Sequence, residues 1–84
     1  MAYEGSEYIL VQMSIYSSEY KYLFGQLKKA RIEAGLDQVV VAKKIKKTQS
    51  YISKIETGQV KIDIFLLLEF AKLYKKDLDY FLPK

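Results

Sequence analysis

From Ser18 onward the apolar residues recur at helical spacing. Leu23, Leu27, Ala30, Arg31 and Ala34 fall at i, i+4, i+7, i+8 and i+11, which puts them on one face of a helix. Ser18 can cap its start, and Gly35 supplies the residue type wanted where a helix ends in a left-handed turn. Leu36 then turns inward, and Asp37 can cap a second helix from Gln38 to about Ile45, with Val41, Ala42 and Ile45 facing the core. Lys46 and Lys47 form a turn. Thr48 caps a third helix, Gln49 to about Thr57, whose inward residues are Ile52 and Ile55, and Gly58 closes it. Asp63 caps a fourth helix, Ile64 to about Tyr74, with Ile64, Leu67, Leu68 and Ala71 as its core stripe. Phe65, Leu66, Phe70 and Leu73 make this helix apolar nearly all round, so it should be buried on more than one side. Asp77 caps a last short helix through about Phe81, ahead of Pro83.

Residues 1–17 follow a different rule. Tyr8, Ile9, Leu10 and Val11 form an apolar patch, and Val11, Met13 and Ile15 continue it in alternation. β-Branched residues at period two predict a short strand at most. The competing expectation is a flexible tail outside the domain, with Met13 as a possible natural start. The division predicted is an N-terminal extension over 1–17 and an all-α domain over 18–84.

Composition narrows the chemistry. With 84 residues and half of them apolar, the chain is long enough for one small domain with a core. It has no cysteine and no histidine. That removes disulfides, thiol nucleophiles, the commonest general base and the usual ligands of zinc, so neither catalysis nor a metal or other cofactor is expected. Asp77 and Asp79 read as capping and first-turn charges. The longest charge-free stretch, 8–18, is too short and too polar to cross a membrane. The acidic start does not suit a signal peptide, so the expected location is cytoplasmic.

The net charge is +4, unevenly spread. Glu4 and Glu7 are the only charged side chains in 1–18. Between Gln38 and Lys61, six lysines (Lys43, Lys44, Lys46, Lys47, Lys54 and Lys61) face one acid, Glu56. A local cationic excess of this kind suits a phosphate backbone, although it is also compatible with an ordinary solvated face.

The run Gln38–Gly58 reads as two short helices around a tight turn, the second with polar side chains opposite its isoleucines. Leu27, Arg31, Gly35-Leu36-Asp37-Gln38, Ala42 and Thr48-Gln49-Ser50-Tyr51-Ile52-Ser53-Lys54-Ile55-Glu56-Thr57-Gly58 together resemble the Cro/cI-like (XRE) phage-repressor family. The similarity continues through Leu67-Leu68-Glu69-Phe70-Ala71 to Asp77-Leu78-Asp79-Tyr80-Phe81. The resemblance implies a five-helix, often dimeric, sequence-specific transcription regulator, repressor-like, with its third helix in the major groove of double-stranded DNA. By position it implies base reading by Gln49, Ser50 and Lys54. It implies phosphate contacts by Gln38, Lys47, Tyr51, Thr57, Gln59 and Lys61. It also pairs Arg31 with Glu56 as a structural ion pair, with a direct phosphate contact as the rival role for Arg31. Where the family often has glycine in the turn, this chain has Lys46, which is then expected in a left-handed conformation.

The chemistry of these side chains suits the implied roles. Glutamine can bond adenine two-pronged, lysine reaches guanine acceptors, and serine accepts several partners. An antitoxin-like or other protein-interaction module is the alternative, because the fourth helix is apolar on several sides. Tyr80, Phe81 and Leu82 add an apolar group at the chain end. It predicts either a homodimer interface, hence binding to an inverted repeat, or completion of the monomer core. No small-molecule ligand is evident.

Overall fold

The computed structural model describes residues 18–83. The strand, tail and start-site expectations for the N-terminal extension lie outside the described residues. Among the described residues there are four α-helices: α1, Ser18–Glu33; α2, Gln38–Ile45; α3, Gln49–Glu56; and α4, Ile64–Tyr74. A 3₁₀ turn, Leu78–Phe81, follows. Among the described residues the fold is all-helical, with no strand and no helix long and apolar enough to cross a membrane. The expected fifth helix is therefore corrected to a single 3₁₀ turn. Asp77 precedes it without a side-chain cap bond, and Leu82 is already extended at φ −101°, ψ 142°. A residue before proline is pushed to that region, so the helix has no room to propagate.

Three of the five expected caps at helix starts form as drawn. Asp37, Thr48 and Asp63 accept from the N–H groups of Val40 (2.8 Å), Tyr51 (3.1 Å) and Leu66 (2.8 Å), each satisfying a donor the helix leaves orphaned. Ser18 is already helical rather than preceding the helix. The four helix ends share one device, a left-handed residue, at Gly35 (φ 74°), Lys46 (φ 60°), Gly58 (φ 77°) and Lys75 (φ 58°). At each, the next N–H reaches back to a carbonyl five residues earlier, from Leu36 to Arg31, Lys47 to Ala42, Gln59 to Lys54 and Lys76 to Ala71. Gly58 has a second reason to be glycine, because a Cβ there would collide with the Phe24 ring.

The core gathers on α1. Tyr20, Leu23, Leu27 and Ala30 are its buried line, meeting Val41 and Ala42 of α2, Ile52 and Ile55 of α3, Leu67, Phe70, Ala71 and Tyr74 of α4, and Phe81. Three expectations change here. Ala34 is exposed, because α1 ends at Glu33 and the chain leaves the helical face. On α4 the buried line is Leu67, Phe70, Ala71 and Tyr74, while Leu68 is 45% exposed and Ile64 only half-buried. A helix apolar on every side gives no phase, and the solution adopted buries Phe70 and Tyr74, their rings stacked at 5.7 Å between centroids, and leaves Phe65 exposed. The chain-end patch is not free either. Phe81 and Leu82 are buried and Tyr80 is half-buried, so these residues complete the core.

One ion pair crosses the core's polar edge. Arg31 of α1 donates to both carboxylate oxygens of Glu56 at the end of α3, from Nε at 2.7 Å and Nη2 at 3.1 Å, and to the Leu36 carbonyl at 2.9 Å. The side chains are 11% and 3% exposed. The Glu56 hydrogen bond, opposed in part by burial, holds the guanidinium above its ordinary range, so it stays a cation that can only donate. Tyr74 lies close enough to feel both charges. Burial first, then Glu56, pushes its phenol far up, and it remains a protonated ring in the core.

Two stability results are expected. Lys46→Gly relieves a left-handed side chain worth about 1–2 kcal/mol but loosens the unfolded chain by about 0.4–1 kcal/mol, leaving a net gain of roughly 0.5–1 kcal/mol. A urea midpoint that fails to rise contradicts this. Arg31→Met and Glu56→Gln, each breaking a buried pair from one side, lower stability by about 3–5 kcal/mol, and the double variant Arg31→Met/Glu56→Leu loses less than the two combined. Unchanged melting temperatures in both single variants contradict a stabilising role for the pair.

Candidate nucleic-acid interface

The turn at Lys46–Lys47 sets α3 across α2. Ile52 and Ile55 are fully buried, which forces the opposite side of α3 outward. Gln49, Ser50 and Lys54 are all on that exposed side. The side chains of Ser50 and Lys54 have no hydrogen-bond or ion-pair partner among the described residues. Gln49 has one, and it leads back into the core.

The buried pair continues outward as a chain of hydrogen bonds. Gln38, at the first position of α2, donates its amide nitrogen to Glu56 Oε1 at 3.0 Å. Its amide oxygen accepts from the Gln49 amide nitrogen at 2.6 Å. The direction of every bond follows from its root. Arginine has only donors and an ionised carboxylate only acceptors, so Gln38 must turn its nitrogen to Glu56. Its oxygen is then the group facing Gln49, which must answer with nitrogen. Side-chain amides are otherwise ambiguous by 180°, and here the ambiguity is removed by charge. Gln49 is left with a free carbonyl oxygen and one free N–H, side by side on an exposed surface.

The remaining residues form a rim. Lys47 is exposed, and its ammonium lies 5.4 Å from the centroid of the half-buried Tyr51 ring. Thr57, Gln59 and Lys61 are exposed along the loop between α3 and α4, alternating with half-buried Gly58 and Val60 and buried Ile62. Thr57 Oγ1 donates to the Ser53 carbonyl at 2.9 Å and accepts from Gln59 Nε2 at 2.8 Å. Lys61 shares a shallow groove of about 400 Å³ with Lys46, Lys47, Tyr51 and Phe65. The structure thus brings together Arg31, Glu56, Gln38 and Gln49 in one bonded chain, and Lys47, Tyr51 and Lys61 around one groove.

Two features do not follow from the pattern of the sequence as read above. Gln38 carries a bridging role between Glu56 and Gln49, which no local pattern signals. Tyr20, buried one helical turn before Leu23, bonds the α3–α4 loop through its hydroxyl. Its place at i−3 from Leu23 was a usable sign of burial, but its loop partners are 40 residues away or more.

Comparison with known proteins agrees with this geometry. A family profile described as helix-turn-helix matches residues 27–81, which spans α2, α3, α4 and most of the residues packed on them. No curated protein and no solved structure matches the chain. The match contains the exposed α3 face, the turn that sets it and the hydrogen-bonded chain behind it, and on that basis the protein belongs to the Cro/cI-like (XRE) helix-turn-helix family of DNA-binding regulators.

Proposed function

We propose that this protein is a repressor-like transcription regulator that reads double-stranded DNA with α3 in the major groove. The observation that carries the reading is the chain Arg31–Glu56–Gln38–Gln49, which ends in an exposed amide of fixed polarity. Adenine offers N6–H and N7 to the groove, a donor beside an acceptor, and Gln49 offers the complementary pair. Guanine offers two acceptors there and would leave the Gln49 oxygen unpaired. Gln49 therefore prefers adenine, while Ser50 and Lys54 read neighbouring positions.

Phosphate contacts surround this reader. Gln38 keeps one amide N–H after its internal bonds, at the start of α2 where helix N–H groups also favour an anion. Lys47 and Tyr51 flank one side, and Thr57, Gln59 and Lys61 the other. Such contacts supply affinity without sequence preference and make binding salt-dependent.

A second copy is part of the proposal. With Tyr80, Phe81 and Leu82 committed to the core, the surface proposed for it is on α4, where Phe65, at 74%, is the most exposed of the large apolar side chains and Leu68 is 45% exposed. Two such faces meeting across a two-fold axis would bury both rings and present two recognition helices about 34 Å apart to an inverted repeat. A protein-interaction module that does not bind DNA is the competing reading that the same apolar face favours. Steep loss of DNA binding between low and high salt separates the two.

Selection of sites from random DNA, followed by titration of variants, tests the assignment. Gln49→Ala and Lys54→Ala each cost about 1–3 kcal/mol on the preferred site and relax preference at one position, whereas Lys61→Ala weakens all sequences alike. An unchanged sequence preference in Gln49→Ala shows the reader to be elsewhere. For the dimer, sedimentation equilibrium of wild type and Phe65→Lys is decisive: wild type self-associates, on its own or on an inverted repeat, and the variant does not. A wild type that stays monomeric in both settings removes it.

A further inference from the structure

The loop between α3 and α4 is bonded to α3 only as far as Gln59; beyond that, α1 holds it. The Tyr20 hydroxyl donates to the Val60 carbonyl at 3.0 Å and accepts from the Ile62 N–H at 3.1 Å. Both backbone groups belong to a segment with no helical partner of its own, and the Ile62 bond is buried. One turn further along α1, Phe24 stands edge-on to Tyr20, with ring centroids 5.9 Å apart, and fills the space that only a glycine at position 58 leaves open. Gly58, Val60 and Ile62 are thus the inward residues of the loop, and all three are met by this aromatic pair. Thr57, Gln59 and Lys61 are the outward ones. The alternation means that fixing the inward backbone also fixes where the three outward side chains stand.

We propose that Tyr20 is a positioning residue for DNA binding, acting through the Thr57–Lys61 loop: its hydroxyl holds the backbone from which the loop reaches the phosphates. The proposal rests on the reading above that this loop contacts the DNA backbone. The role is distinct from that of Gln49, because phosphates carry no sequence. It is also distinct from core packing. Tyr20→Phe keeps the ring and its edge contact with Phe24 and removes only the oxygen that joins Val60 to Ile62. Burial raises the phenol above its ordinary value, so the hydroxyl remains a donor at any working pH.

The test uses the full chain, wild type, Tyr20→Phe and Lys61→Ala, at a temperature where thermal melts show all three folded. Two backbone hydrogen bonds of ordinary net strength correspond to roughly a five- to 150-fold loss of affinity. Tyr20→Phe is expected to lose affinity by that factor equally for the selected site and for unrelated DNA, with unchanged base preference and a flatter dependence of log affinity on log salt. Amide hydrogen exchange at Ile62 quickens in the same variant while that of Ile52, in the core of α3, does not. A purely structural role would change exchange throughout and leave the salt slope alone. Wild-type affinity and salt slope in Tyr20→Phe, alongside weakened binding by Lys61→Ala, overturn the positioning role. Failure of Lys61→Ala to weaken binding, or absence of DNA binding by wild type, instead removes the reading on which it rests.

Discussion

The Arg31–Glu56 pair is the constraint on which the rest of the molecule is arranged. It is nearly withdrawn from water, at 11% and 3% side-chain exposure, so both charges have lost most of their hydration. Their mutual attraction at 2.7 Å offsets that loss because each partner also makes a further hydrogen bond. Arg31 gives a further bond to the Leu36 carbonyl, in the turn that redirects the chain from α1 to α2. Glu56 takes one from Gln38 at the start of α2. One charged group on each side therefore ties α1, the α1–α2 turn, α2 and α3 together. A hydrophobic pair of similar volume could hold α1 against α3 equally well. It could not dictate which end of an amide two residues away faces the solvent.

That directional property is what links fold to function. The hydrophobic core, centred on Leu23, Leu27, Ile52 and Leu67, decides that α3 presents Gln49, Ser50 and Lys54 outward, but apolar contacts carry no polarity. Polarity enters through the ion pair and is transmitted by Gln38. The loop after α3 is fixed by separate means, Tyr20 and Phe24 from α1. On the proposed reading, then, a single helix supports both halves of recognition: Arg31 near its C-terminus stands behind the base reader, and Tyr20 near its N-terminus stands behind the phosphate loop.

Much of this was legible in the sequence. The three aspartate and threonine caps and the paired isoleucines of α3 depend on residues within one or two turns of each other, where spacing is informative, while the left-handed turn at Lys46 was implied by the family resemblance. Lys75 uses the same left-handed turn as Lys46, yet nothing local distinguishes it from a helical lysine. The inward face of α4 could not be read, since Ile64 to Tyr74 is apolar in nearly every direction and its orientation is chosen by the cavity that Phe70 and Tyr74 fill. The burial of Phe81 and Leu82 depends on contacts with α1, far away in sequence. The bonds of Gln38 and Tyr20 were missed for the same reason, because a polar side chain's partners across 18 or 40 residues leave no periodic trace.

The central claim is that the buried pair orients Gln49 through Gln38, and discrimination between adenine and guanine in Gln38→Ala tests it most directly. Affinity is measured for two duplexes that differ only at the base contacted by Gln49. The ratio of the two cancels any phosphate contact that Gln38 makes, since that contact is common to both. The account predicts that the ratio falls toward the value seen when Gln49 itself is absent, although Gln49 is still present, because its amide is free to turn. A ratio equal to that of wild type would contradict it, and would mean that Gln49 finds its orientation on the DNA without the chain behind it.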